Sequence, residues 1–214
     1  MERPQAPVPS LDSLLQAADN ALRALFAPAV ARREAPDLPD PSPLGESDRR
    51  HVAGLMRVNH AGEIAAQALY RGQALMARCG ATREFLLHAA AEEGDHLAWC
   101  ERRLTELGAR TSLLNPLWYA GSFAIGAAAA ALSDRLSLGF VAETERQVEG
   151  HLADHLDRLP AEDLRSRRIL ETMQRDEVEH AHAARSRGAG ELPPLVRTGM
   201  KMTSRLMTRL AYWI

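Results

Sequence analysis

Apolar residues recur at three- and four-residue spacing in segment after segment of the chain, which predicts helices. Leu11, Leu14, Leu15, Ala18, Leu22 and Leu25 mark a first helix from about Leu11 to Phe26. Four prolines within residues 35–44 (APDLPDPSPL) then exclude regular structure and predict an extended connector. Ser47 is placed to cap a second helix running to about Arg78 and closed by Gly80, and Thr82 to cap a third running to Leu107 and closed by Gly108. Ser133 is placed to cap a fourth that ends at Pro160, and a fifth runs from about Ala161 to Arg187 before Gly188 and Gly190. These pairs are two helical hairpins, joined by the uncharged stretch 111–132. Two hairpins with one long crossover is the connectivity of a ferritin-like four-helix bundle. The predicted class is therefore all-α, with an N-terminal helix and a C-terminal amphipathic helix added. The chain divides into residues 1–45 (helix and proline-rich linker), 46–191 (bundle, including the crossover) and 192–214 (basic helix).

The crossover invites a transmembrane test. Its continuous apolar run starts after Pro116 and ends at Leu132, which spans about 24 Å as a helix against the roughly 30 Å of a hydrocarbon core. It reads as interfacial or buried. Aromatic residues make up only 5% of the chain, in keeping with helices rather than sheets. The net charge of -2 gives no whole-chain reason to expect nucleic acid. It is unevenly spread: Arg197, Lys201, Arg205 and Arg209, with no acid, give residues 192–214 a charge of +4, so residues 1–191 carry -6. Cys79 and Cys100 form no C-x-x-C pattern, which argues against a zinc ribbon or a disulfide framework and for a reducing compartment. The proline-rich start, Met1 to Ser10, lacks the positive-then-apolar run of a secretory signal.

Ligand chemistry emerges when side chains are placed on helix faces. Residues three apart share a face, so Glu-x-x-His presents a carboxylate and an imidazole together. Three such pairs occur. Glu93/His96 shares its stripe with Phe85, Leu86, Ala89, Ala90, Leu97 and Leu104, and Glu177/His180 with Ile169, Leu170, Met173 and Ala184. Both point into a core. Glu179/His182 lines up with Thr172, Arg175 and Asp176, a solvated face, and is set aside. In the fourth helix the stripe Leu138, Val141, Val148, Leu152, Leu156 passes through Glu145, with Glu149 a weaker rival, whereas Glu143 lies about 200° away. In the second helix Glu63 falls between Leu55, Met56, Asn59 and Ala66, Tyr70, Ala74. Glu63 and Glu93 are equidistant from residue 78, and Glu145 and Glu177 from residue 161, so each hairpin places its carboxylates at one level. Four carboxylates converging in an apolar core would cost several kcal/mol each without cations, and two divalent metals would neutralise them. One Glu from each of two helices plus Glu-x-x-His from each of the others is the di-iron or di-manganese carboxylate pattern.

At these residues the chain resembles a known family. Arg57-Val58-Asn59-His60-Ala61-Gly62-Glu63, Glu93-Gly94-Asp95-His96, Asn115-Pro116-Leu117-Trp118 and Asp176-Glu177-Val178-Glu179-His180 are similar to motifs of the demethoxyubiquinone hydroxylases, over about residues 50–214. The resemblance implies a ferritin-like, O2-dependent di-iron monooxygenase, peripheral on the cytoplasmic face of the cell membrane. It implies hydroxylation of the ring of a demethoxy polyprenyl-benzoquinol in ubiquinone biosynthesis, with other proteins of that process as partners. The iron ligands and catalytic residues carry over to Glu63, Glu93, His96, Glu145, Glu177 and His180, with Glu93 and Glu177 bridging. His151 matches a histidine that the family keeps beside its ligands, but the next position, a tyrosine in some members, is Leu152 here.

Other residues keep two readings. His60 is placed either to orient a ligand or to pack, Tyr70 to act as a radical site or to fill the core, and Cys100 as a small core residue. The cationic arc of Arg197, Lys201, Arg205 and Arg209, with Leu195, Met202, Leu206, Trp213 and Ile214 on the other side, suits a membrane surface or a cap on the bundle. The small residues of 117–132 suit an isoprenoid channel or close helix packing. No nicotinamide, flavin or rubredoxin-like motif is visible, so electrons must come from a partner, from reduced nicotinamide or from the quinol itself. The rival readings are an iron-storage or detoxifying ferritin-like protein without organic substrate, and a membrane-recruited module with structural metals.

Overall fold

Ser10 accepts a hydrogen bond from the Ser13 amide and starts α1 (Leu11–Phe26). This is the first of seven helices in the computed structural model, which describes residues 8–40 and 43–214 and contains no strand among them. Residues 1–7, where the secretory-signal test falls, and residues 41–42 of the proline-rich connector lie outside the described residues. The others are α2 (Glu46–Met76), α3 (Gly80–Glu106), α4 (Asn115–Leu132), α5 (Asp134–Arg158), α6 (Leu164–Ser186) and α7 (Pro194–Trp213). Hairpins α2/α3 and α5/α6 form the ferritin-like bundle, α4 is the crossover, and α1 and α7 are added outside it.

Several boundaries differ from the sequence reading. Gly45, not Ser47, stands at the N-cap of α2. Gly80 opens α3 instead of closing α2, and Thr82 does not cap it. The reason is tertiary: Asp134, at the start of α5, accepts from the amides of Arg78 at 3.0 Å and Cys79 at 2.8 Å, fixing the turn between α2 and α3. Helix α6 starts late because Asp163 caps it, accepting from the Ser166 amide at 3.0 Å. Ser133 caps α5 as expected, and Gly108 and Gly188 close α3 and α6 at positive φ. Asp163 also meets the buried Arg103 at 3.0 Å, which ties the end of α3 to the start of α6.

Two apolar layers fill the bundle. Val52, Leu55, Met56, Trp99, Leu104, Leu152, Ile169 and Met173 form one, and Ala66, Tyr70, Leu86, Ala90, Val141 and Ala184 the other, nearer the α2/α3 turn. Along each bundle helix one polar level separates the two, at Glu63, at Glu93 and His96, at Glu145, and at Glu177 and His180.

Helix α1 forms where predicted, but its apolar stripe does not enter the core. Ala21, Ala24 and Leu25 pack on Ile64, Ala68, Leu97 and Tyr119, while Leu11, Leu14, Leu15, Leu22 and Phe26 are exposed. The crossover packs tightly on α2. A Cβ at Gly126 would lie 2.1 Å from the Leu69 carbonyl oxygen, and one at Gly72 would lie 2.2 Å from that of Phe123. Backbone meets backbone there, so no side chain can yield. Gly126→Leu is expected to lose about 3 kcal/mol or more of stability through forced separation of α2 and α4, read as a lower midpoint in chemical denaturation. No helix among the described residues is long and apolar enough to cross a membrane.

Helix α7 is fixed by its far end. Arg57 Nη1 donates to the Tyr212 carbonyl at 2.7 Å, and the Tyr212 hydroxyl lies 2.7 Å from His51 Nδ1. Val196, Met200, Ser204 and Met207 turn inward, whereas Leu195, Met202, Leu206 and Trp213 are exposed and fall within about 40° of one another around the axis. One face of α7 thus caps the bundle, and the other is left exposed.

Candidate metal centre

The polar level between the two apolar layers brings the six predicted side chains together. Glu63, Glu93, His96 and Glu177 offer ligand atoms within 4.8 Å of one another, and so do Glu93, Glu145, Glu177 and His180. Glu93 and Glu177 belong to both sets, and each divides its two oxygens between them. His96 Nδ1 lies 3.2 Å from Glu93 Oε2 and 3.3 Å from Glu177 Oε1. His180 Nδ1 lies 3.3 Å from Glu93 Oε1 and 3.6 Å from Glu177 Oε2. Glu63 faces only His96, at 3.7 Å, and Glu145 only His180, at 3.6 Å. All six are buried. Glu149 belongs to neither set, and Glu143 is paired with Arg146 at 2.6 Å. Glu179 and His182 are exposed, as their face predicted.

Protons alone serve this cluster poorly. Burial, reinforced by the charges of Glu93 and Glu177, pushes Glu63 well above the ordinary carboxylate range, and burial with the charge of Glu177 does the same to Glu145. Burial opposes protonation of His96 and His180, yet the surrounding carboxylates raise both. Against burial, His180 and His96 in turn hold Glu93 below its usual range. Glu93 Oε1, Glu145 Oε2, both oxygens of Glu177 and His180 Nδ1 remain buried without a hydrogen-bond partner among the described residues. Unpartnered oxygens and one imidazole nitrogen per set, all turned inward, are the donor chemistry for two hard or borderline divalent cations, whose four positive charges would balance the four carboxylates.

Two further acids surround the cluster, and the sequence reading missed both. His96 Nε2 is 2.9 Å from Asp176 Oδ2, and His180 Nε2 is 2.8 Å from Glu92 Oε2. Each of these acids directly precedes a Glu-x-x-His and reaches across to the histidine of the other motif. The repeated pattern of acid, Glu, x, x, His was the available signal. Such partners fix the tautomer and ring orientation of a ligating histidine. Burial opposes it, but the bonds from His96 and Arg33 bring Asp176 down to about 2.

Tyr70 is fully buried and its hydroxyl donates to Glu145 Oε1, so it is neither free nor mere filling. His60 faces Asn115 at the start of α4, 3.4 Å away, and burial lowers it to about 4. Asn59 Oδ1 is 2.9 Å from His155 Nδ1, and the ring of His151 lies 3.9 Å from that of His155. Cys100 lies in the core with its sulfur 3.8 Å from that of Met173, and burial pushes its thiol up.

An apolar cavity of about 260 Å3 lies between α2, α4, α5 and α7, lined among others by Gly62, Ala66, Ile125, Val148, Met200 and Met207. Gly62 and Thr144, both on its wall, are the chain neighbours of Glu63 and Glu145.

Four glutamates and two histidines between the apolar layers of a bundle with one long crossover define a ferritin-like helical bundle with two overlapping Glu/His sets, each of which could hold a metal ion. More narrowly, the chain belongs to the ubiquinone biosynthesis COQ7 family, because residues 50–211 match the profile described as Ubiquinone biosynthesis protein COQ7. A relative from Nitrosomonas europaea is 56% identical over 96% of this chain and 99% of its own length. One from Azoarcus sp. (strain BH72) is 58% identical over 91% of this chain and 95% of its own. One from Cupriavidus necator is 58% identical over 95% of this chain and all of its own. Each of the three is named 3-demethoxyubiquinol 3-hydroxylase.

Proposed function

We propose that this protein is a hydroxylase of ubiquinone biosynthesis that places an oxygen atom from O2 on the ring of a demethoxy polyprenyl-benzoquinol. Glu63, Glu93, His96, Glu145, Glu177 and His180 would hold its iron pair, with Glu93 and Glu177 each offering one oxygen to either half. The observation that carries this reading is the apolar cavity beside the ligand cluster. An iron-storage bundle has no use for an apolar cavity whose wall includes Gly62 and Thr144, the chain neighbours of Glu63 and Glu145, whereas a polyprenyl quinol needs one. When bound, the iron pair supplies the activation of O2 that ring hydroxylation requires.

The chain's own residues do the rest. Glu93 and Glu177 set the spacing of the two halves, because each offers one oxygen to either side. Asp176 and Glu92 fix the two imidazoles, and Tyr70 restrains Glu145 on the side of α5. The walls of Gly62, Ala66, Ile125 and Val148 admit the substrate and exclude water. The test is to titrate the protein anaerobically with Fe(II), then add O2 and a demethoxyubiquinol with a short tail. Two Fe(II) per chain and the hydroxylated quinol are expected; iron uptake without that product would leave only the storage and structural-metal readings.

The bundle of residues 46–191 holds the metals, and the basic helix of residues 192–214 meets the cytoplasmic face of the membrane, where the substrate resides. The outward stripe of Leu195, Met202, Leu206 and Trp213, bordered on one side by the arc of Arg209, Arg205, Lys201 and Arg197, supports this docking. Each basic side chain near an anionic surface contributes about 1 kcal/mol. The double change Lys201→Gln with Arg205→Gln is therefore expected to weaken binding to phosphatidylglycerol-containing vesicles about thirtyfold, measured by co-sedimentation. Iron stoichiometry stays the same.

A further inference from the structure

Residues 29–33 precede the region matched by the family profile, yet they lie along the outer side of the metal cluster. The Ala29 amide donates to Glu101 Oε2 at 2.9 Å, and the Arg32 amide to Asp95 Oδ1 at 2.6 Å. Both acceptors belong to α3, the helix that carries Glu93 and His96. Arg165 on α6 holds the segment further along, donating to the Pro39 carbonyl at 2.9 Å. This anchorage sets the Arg33 guanidinium 2.6 Å from Asp176 Oδ2 and 5.0 Å over the Trp99 ring. Trp99 in turn packs on His96, with ring centroids 5.4 Å apart.

We propose that Arg33 is a positioning residue for the His96 half of the metal centre: by holding Asp176 it fixes the His96 imidazole, so that docking of residues 29–33 sets metal affinity in that half. The inference rests on the reading that the six side chains hold two metals. A histidine that gives Nδ1 to a metal carries its hydrogen on Nε2, and here Asp176 Oδ2 accepts it at 2.9 Å. Arg33 donates to the same oxygen. A carboxylate bound to an imidazole alone can still swing, and the imidazole with it; a second, charge-assisted bond removes that freedom. The other half is braced differently. Glu92, which holds His180, has as its neighbour the exposed His88 of its own helix, at 3.1 Å. The His96 side thus depends on a segment outside the bundle, and the His180 side on α3 itself. The Arg33 side chain is 43% exposed, so its replacement leaves the core layers intact.

The test is an anaerobic Co(II) titration of the full chain, followed by the visible absorption of the bound cobalt. Wild type binds two equivalents. Arg33→Met is expected to weaken one of them about ten- to a hundredfold and to leave the other unchanged. In an Asp176→Ala background, which removes the shared acceptor oxygen, the same change has no further effect, because the route through Asp176 is already cut. Unchanged affinities in Arg33→Met, equal weakening of both equivalents, or an undiminished effect of Arg33→Met in the Asp176→Ala background would each overturn the proposal. Wild type binding fewer than two Co(II) would overturn the metal-centre reading itself, and so is distinguishable.

Discussion

Glu177→Ala is expected to bind fewer than two Fe(II) per chain and to lose hydroxylation by about a thousandfold or more. Glu177 gives Oε1 to the His96 half at 3.3 Å and Oε2 to the His180 half at 3.6 Å, so its removal takes a ligand from both. Several kcal/mol of stabilisation by a correctly held metal pair corresponds to at least about three decades in rate. The change should not unfold the protein. In the metal-free state Glu177 is a buried carboxylate that raises the proton affinity of Glu63 and Glu145 through its charge, and removing such a group relieves repulsion. The melting temperature of the metal-free variant is accordingly expected to equal or exceed that of wild type. Anaerobic Fe(II) titration, product analysis and calorimetry on one preparation check all three outcomes. A variant that loses metal only because it is unfolded would show a lowered metal-free melting temperature.

The second large effect separates metal chemistry from substrate binding. Gly62 stands next to Glu63 on α2, and a Cβ added there meets nothing within 4 Å. The open space is the apolar cavity, so Gly62→Leu fills it without pressing on any backbone. A helical glycine replaced by leucine should also gain some tenths of a kcal/mol of helix propensity. The variant is therefore expected to be slightly more stable, to take up two Fe(II), to oxidise them with O2, and to lose hydroxylation at least about a hundredfold. Steady-state assays across substrate concentration, beside iron oxidation followed by absorbance, distinguish this outcome from damage to the ligands. Wild-type hydroxylation in Gly62→Leu would place the quinol elsewhere.

These two residues also mark what could be read from the chain before folding. Glu177 was legible because facing and depth are both local: an apolar stripe fixes the side of the helix, and distance from a turn fixes the level. The same two rules brought Glu63, Glu93, His96, Glu145 and His180 to one level, and that level is where the structure brings them together. The hairpin ends were less legible. Asp134, more than 50 residues away, accepts from the Arg78 and Cys79 amides and so decides where α3 begins. Asp176 was placed on a solvated face, since its helix neighbours Thr172 and Arg175 are polar. In fact His96, on α3, reaches it from across the bundle. The stripe of α1 predicted a helix correctly but not its surroundings, because periodicity does not reveal whether another element covers the apolar side. Arg33 carried no local signal at all. It sits beside a proline-rich connector, and its role depends on contacts with α3 and α6 that no spacing rule describes.

The most direct test of the central claim is a single turnover of the Fe(II)-loaded protein with a demethoxyubiquinol under 18O2, with the product analysed by mass spectrometry. One labelled oxygen is expected on the ring of the hydroxylated quinol, and none when the label is in the water. Product carrying oxygen from water, or oxidised iron with no hydroxylated quinol, would contradict that claim.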